Sequence, residues 1–89
     1  MNNKYYILMA LNLSNNQEYY ISNTNPLVFD INKYKAKRYL TSKNAEFDIL
    51  RDYDNYNQIK QALQNNVISE LWILEIINEF EDKGRIRIL

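Results

Sequence analysis

The 89-residue chain carries 11 basic and 11 acidic side chains, for a formal net charge of zero, and contains no cysteine, no histidine and a single glycine. These absences exclude disulfides and thiolate chemistry, remove the usual general base near neutral pH and the commonest metal ligand, and leave no glycine-rich phosphate loop. No cofactor and no metal is expected, since a metal could draw only on carboxylates and carbonyls and no calcium-loop spacing occurs.

Residues 4–13 alternate with the period of a strand, placing Tyr5, Ile7, Met9, Leu11 and Leu13 on one face. Residues 17–22 form the next strand, with Tyr19 and Ile21 on its apolar face. The two faces must coincide, because a one-residue slip carries every side chain across the sheet. A two-residue Asn15-Asn16 turn would pair Leu13 with Glu18, whereas a three-residue loop from Ser14 to Asn16 pairs Leu11 with Tyr19 and Met9 with Ile21. The three-residue loop is the expectation, with Asn16 in the left-handed conformation that asparagine tolerates. It leaves Tyr6 and Tyr20 on the outer face, with Leu8 beside them.

Residues 22–26 carry turn chemistry, and Pro26 is expected to hold Asn25 extended. Asp30 is a candidate N-cap for a helical turn over 31–36, with 37–41 extended after it. Ser42 is a second candidate cap. It precedes Ala45, Ile49 and Tyr53, spaced four apart, although Phe47 and Ile49 alternating with Glu46 and Asp48 also fit a short strand. Residues 31–53 are thus open between helix and extended chain. A clearer helix, capped by Asp54, covers 55–65 with the stripe Tyr56, Ile59, Ala62 and Leu63, and Asn65-Asn66 can end it in the left-handed conformation.

Residues 71–80, LWILEIINEF, hold the only tryptophan. Period two separates Trp72, Leu74, Ile76, Asn78 and Phe80 from Leu71, Ile73, Glu75, Ile77 and Glu79, whereas period 3.6 yields no polar face. With its branched aliphatics this predicts a strand in the middle of a sheet, a helix over 68–80 being the competing reading. Glu81 to Gly84 is expected to turn the chain, the glycine taking positive φ, and 85–89 return as an alternating strand. The prediction is one α+β domain over 1–89, a small antiparallel sheet built from an N-terminal and a C-terminal hairpin and covered on one face by one or two helices. Trp72, Leu74, Ile76, Ile86, Ile88, Ile59, Leu63, Ile7 and Met9 are the expected core, with Trp72→Ala its costliest change at about 3–5 kcal/mol.

Three functional readings compete. Asp48, Asp52 and Asp54 could meet on a helix, but carboxylates become catalytic through burial, and no nucleophile and base recur at a telling spacing; a non-enzymatic protein is expected. Lys33, Lys35, Lys37, Arg38 and Lys43 interleave with Tyr34 and Tyr39, a pattern of cations for phosphates and rings for unpaired bases that would suit a small nucleic-acid-binding or regulatory protein. The zero net charge and pI of about 6.2 weigh against it. The third reading is a protein partner. Eight tyrosines and a tryptophan supply residues enriched at interfaces, with Tyr6 and Tyr20 as contacts. An exposed edge strand would also allow a homodimer or a sheet extension. Charge is split, residues 1–44 carrying +4 and residues 45–89 carrying −4. No run approaches 18 apolar residues and the N-terminus lacks a leader pattern, so no membrane partner and a cytoplasmic location are expected. Asn, Ile, Lys and Tyr make up 40 residues; all are read from A/T-rich codons, so part of the asparagine and tyrosine excess reflects coding bias.

The tyrosine-rich hairpin (YYILMALNL followed by EYYIS), then FDINKYKAKRYLTSKNAE, then a helix and a tryptophan-bearing strand, resembles the short accessory proteins of phages and mobile elements of low-GC Firmicutes, anti-CRISPR inhibitors among them. The resemblance is one of size, composition and element order across most of the chain. It implies a stoichiometric inhibitor acting in the host cytoplasm, which occludes a host defence protein or ribonucleoprotein complex without performing chemistry on it. On that reading the acidic residues Glu70, Glu75, Glu79, Glu81 and Asp82 would face a basic groove of the partner.

Overall fold

The computed structural model describes residues 4–78 and 81–89, with the side chains of the second segment described from Gly84 onward. Strand β1 (Tyr5–Asn12) is apolar on both faces, and Ile7, Leu8, Met9 and Ala10 are all buried. Such a strand belongs inside a sheet, and β1 is its centre. β2 (Gln17–Asn23) and β3 (Val28–Asp30) lie on one side of it, β4 (Glu70–Asn78) and β5 (Glu81–Arg87) on the other, all antiparallel, in the order β3-β2-β1-β4-β5. Between β3 and β4 the chain forms a 3₁₀ turn (Lys33–Lys35) and two helices, α1 (Ser42–Leu50) and α2 (Tyr53–Gln64). Residues 71–78 of the tryptophan-bearing segment are extended, between β1 and β5, and Glu79 and Phe80 lie outside the described residues. This is the α+β arrangement that the hydrophobic periods predicted.

The face that receives the helices is the opposite of the one expected. Ala45 and Ile49 of α1 and Ile59 and Ala62 of α2 pack on Leu8 and Ala10 of β1, Ile21 of β2, and Leu71 and Ile73 of β4. The expected face forms a second cluster, in which Ile7, Met9, Tyr20, Leu74, Ile76 and Ala36 are edged by Tyr5, Leu11 and Trp72. On the side of this second cluster Glu18 of β2 and Arg85 of β5 approach to 3.8 Å. Trp72 is only partly buried here and donates from Nε1 to Glu70 Oε1 at 2.9 Å. It covers the edge of a cluster; it is not the centre of the core. Ile86, also expected inside, is 57% exposed.

The first hairpin differs from expectation by one residue. Asn12 pairs with Gln17 around a four-residue loop, so Met9 faces Tyr20 and Ala10 faces Tyr19. Asn12 sets this register. Its side chain is buried, Nδ2 donating to the carbonyls of Asn66 and Val67 at 3.0 and 3.1 Å and Oδ1 accepting from Ser14 N at 2.8 Å. Asn16 does take positive φ, 58°. Gly84, expected in the second turn, is paired within β5 opposite Glu75 and has no positive φ.

Caps fall one or two residues from their expected places. Thr41 Oγ1 accepts from Asn44 N to start α1, and Asp52 Oδ1 accepts from Asn55 N to start α2. Asn32 caps the 3₁₀ turn, while Asp30 closes a local turn by accepting from Asn32 N. Asn66, at φ 58°, follows the end of α2. Asn25 is not extended but takes φ 55°; asparagine tolerates that conformation, and its N–H is held by a buried side chain described below.

The basic connector is wedged into the sheet. β1 and β2 pair only from Met9 to Asn12, and beyond that point residues 37–39 enter between them. Tyr6 and Tyr39 exchange backbone hydrogen bonds of 2.9 and 2.8 Å, and Lys37 N donates to Ile21 O at 2.9 Å.

Candidate functional site

Two polar assemblies lock the corner where α1 meets α2. Asn55, fully buried in the first turn of α2, is the hub of one. Its Nδ2 donates to Asp48 O at 2.8 Å, its Oδ1 accepts from Asn25 N at 3.1 Å, and its own N–H is taken by Asp52 at 3.0 Å. One amide side chain therefore joins the end of α1, the start of α2 and the β2–β3 turn. Gln58 adds a second tie, accepting from Leu27 N at 2.7 Å.

Asp48 is the hub of the other. Its Oδ2 accepts from Lys37 Nζ at 2.9 Å, from Thr24 Oγ1 at 3.2 Å and, in a short contact, from the Tyr39 hydroxyl; Lys37 also donates to Thr24 at 2.8 Å. Burial opposes charge on Asp48, but the hydrogen bonds from Tyr39, Lys37 and Thr24 outweigh it and hold the carboxyl below its usual pKa. Burial, reinforced by the Asp48 carboxylate, pushes the Tyr39 phenol well above its own usual value. Through these hydrogen bonds the cluster acts as a clamp that fastens the connector and the β2–β3 turn to α1.

A pH series tests the clamp. A depressed carboxyl contributes stability above its unfolded pKa of about 3.9 and loses that contribution as pH falls through the lower folded value. Asp48→Asn is expected to be less stable than wild type at about pH 7, with the gap closing toward about pH 2. Urea midpoints of both proteins across this range measure it, and a constant gap would remove Asp48 from the clamp.

The clamp lies in an open depression of about 580 Å³ that is also lined by Phe47 and Arg51. Phe47 is 41% exposed, and the Arg51 guanidinium stacks over its ring at 4.3 Å from the centroid. Tyr53, two residues further on, is 78% exposed at the first position of α2. The corner thus displays two aromatic rings and an arginine on a base tied by caps, hub and clamp.

The residues singled out from the sequence are dispersed. Tyr6 is on the helix-covered face and Tyr20 on the other, its hydroxyl 3.2 Å from Glu18 Oε1, while Leu8 is fully buried; no shared outer face of Tyr6, Leu8 and Tyr20 exists. The register shift of the first hairpin moves Tyr20 to the other face, and the docking of the helices buries Leu8. Glu70 and Glu75 point to opposite faces of β4, paired with Arg87 and Lys4 respectively, each at 3.2 Å. Glu79, and the side chains of Glu81 and Asp82, lie outside the described residues. Lys33 and Lys35 sit in the 3₁₀ turn, Lys37 in the clamp and Lys43 in the first turn of α1, while Arg38 stacks over Tyr5 at 4.3 Å. Tyr39 is buried, which leaves Tyr34 as the exposed ring of that stretch. Asp48 and Asp52 line the same depression, the first as the clamp and the second as a cap, whereas Asp54 lines a different one beside Asn25 and Pro26.

Phe47, Arg51, Tyr53 and Asn55 were missed. The i, i+4 spacing of Phe47 and Arg51 and the polar Asn55 four residues before Ile59, on the apolar stripe, were the signals available. Among the described residues no group of His, Cys, Asp or Glu is placed to hold a metal, and no helix is long and apolar enough to cross a membrane. No protein-family model, no curated protein and no solved structure matches the chain.

Proposed function

We propose that this chain is a non-enzymatic interaction module that binds one host protein stoichiometrically, in the manner of a phage-encoded, anti-CRISPR-type inhibitor, and that the α1–α2 corner is its contact surface. The exposed Phe47–Arg51 stack, with exposed Tyr53 at the start of the next helix, carries the reading. Tyrosine and arginine are among the residue types that dominate binding hot spots. Their attachment to a tied base limits the order that must be gained on binding, which favours affinity. The inhibitor character rests on the resemblance in size, composition and element order. Of the cations of the nucleic-acid reading, Lys33, Lys35, Lys37, Arg38 and Lys43, Lys37 is engaged in the clamp and Arg38 is stacked over Tyr5.

Affinity purification from host extract, with wild type beside a Phe47→Ala/Tyr53→Ala double variant of unchanged circular dichroism, tests the proposal. Wild type is expected to retain one protein or ribonucleoprotein complex at a fixed ratio. The double variant is expected to weaken retention about 30-fold, the equivalent of a 2 kcal/mol hot spot. Retention of nucleic acid alone, or equal retention by the two proteins, would overturn it.

A further inference from the structure

The sheet ends in two unlike edges. β3 has three residues and leads at once into the 3₁₀ turn, whereas β5 has seven residues and closes the strand order on the other side. An edge strand offers every other N–H and C=O to an added strand. β5 pairs regularly with β4 from Gly84 to Arg87, and its irregularities are confined to the end near Ile76 and Asn78. Side chains alternate along the regular stretch. Arg85 and Arg87, about half exposed, share the face of Leu74 and Trp72. Ile86, 57% exposed, is on the helix-covered side, beside a notch of about 40 Å³ lined with Tyr6, Ile73, Glu75 and Gly84.

We propose that this edge receives an extended segment of a partner protein in which carboxylate and aliphatic residues alternate. Its main chain extends the sheet, its carboxylates meet Arg85 and Arg87, and its aliphatic side chains lie against Ile86 and the notch. Arg87 approaches Glu70 and donates from Nε to Leu89 O at 2.9 Å, and Arg85 approaches Glu18; a guanidinium has five donors, which an incoming carboxylate can share. A second copy of this chain is the poorer occupant. With the helices of both copies on the same side and Ile86 facing Ile86, Arg85 would sit opposite Arg87, a like-charge pair directly across strands. The site is separate from the α1–α2 corner and does not depend on it.

The test is an amide chemical-shift titration of the full chain, at low ionic strength, with the blocked peptide acetyl-Glu-Val-Glu-Val-Glu-amide and with its counterpart bearing lysine in place of glutamate. The acidic peptide is expected to shift the amides of residues 84–87 and to bind about tenfold more tightly than the basic one. The Arg85→Gln/Arg87→Gln variant, its spectrum confirming the fold, is expected to lose that preference. Absence of shifts at 84–87 at millimolar peptide, equal binding of the two peptides, or shifts centred elsewhere would overturn the proposal. Concentration-dependent broadening of the same amides without peptide would assign the edge to a second copy and overturn it equally.

Discussion

Replacing Leu8 with alanine is expected to destabilise the protein by about 3–5 kcal/mol, more than any other large-to-small change considered, including Trp72→Ala. Leu8 is fully buried at the centre of the middle strand, opposite Ile73 and in the cluster that receives both helices. The lost methyl groups leave a cavity, and the cost of a cavity depends on how far its surroundings can collapse. Here they cannot move far, because β1 is hydrogen-bonded on both sides, to β4 along its length and to β2 and the wedged connector on the other flank. Trp72 is larger but partly exposed, at the edge of the other cluster, where solvent can enter the space it leaves, so Trp72→Ala is expected to cost only about 1–3 kcal/mol. Urea denaturation of the two variants ranks them directly. A larger loss for Trp72→Ala would mean that the cluster of Ile7, Met9, Leu74 and Ile76 is the principal core.

Asn55→Ala is expected to cost about 1–4 kcal/mol, since it empties a fully buried site and leaves two part-buried backbone groups, the Asp48 carbonyl and the Asn25 N–H, without their side-chain partner. The loss is local in origin. Hydrogen exchange at the Asn25 amide is expected to accelerate beyond the change in global stability, whereas Leu8→Ala is expected to raise exchange throughout the sheet. Asn55→Leu keeps the γ-branched shape at a larger volume and supplies neither hydrogen bond, so it is expected to be at least as destabilising as alanine. A leucine variant as stable as wild type would show that packing, not the amide, holds the corner.

Much of the architecture could be read from hydrophobic period alone. The extended tryptophan segment, the hairpins at both ends and the helix carrying Ile59 and Ala62 all follow from spacing. The choice of face could not, because β1 and β4 are apolar on both sides and an alternating pattern of that kind has no preferred direction. The register of the first hairpin turned on Asn12, whose side chain is satisfied by the carbonyls of Asn66 and Val67, more than fifty residues away. The corner was hidden for the same reason. Asn55, Asp48 and Lys37 look like ordinary surface residues in the sequence, and their roles come from partners that only the fold brings near. Single polar residues with distant partners are what a windowed pattern cannot register.

The wedge of residues 37–39 between β1 and β2 bears on how the chain acquires its stability. β1 has neighbours at residues 17–20, at Tyr39 and at 70–76. A fragment that stops short of β4 would leave one flank of the central strand without hydrogen-bond partners and its buried residues without half their cover. Stability cannot then accumulate in instalments as the chain emerges. Closing these distant contacts governs the pace of folding, and deleting 70–89 should leave an unfolded polypeptide, not a smaller version of the same domain.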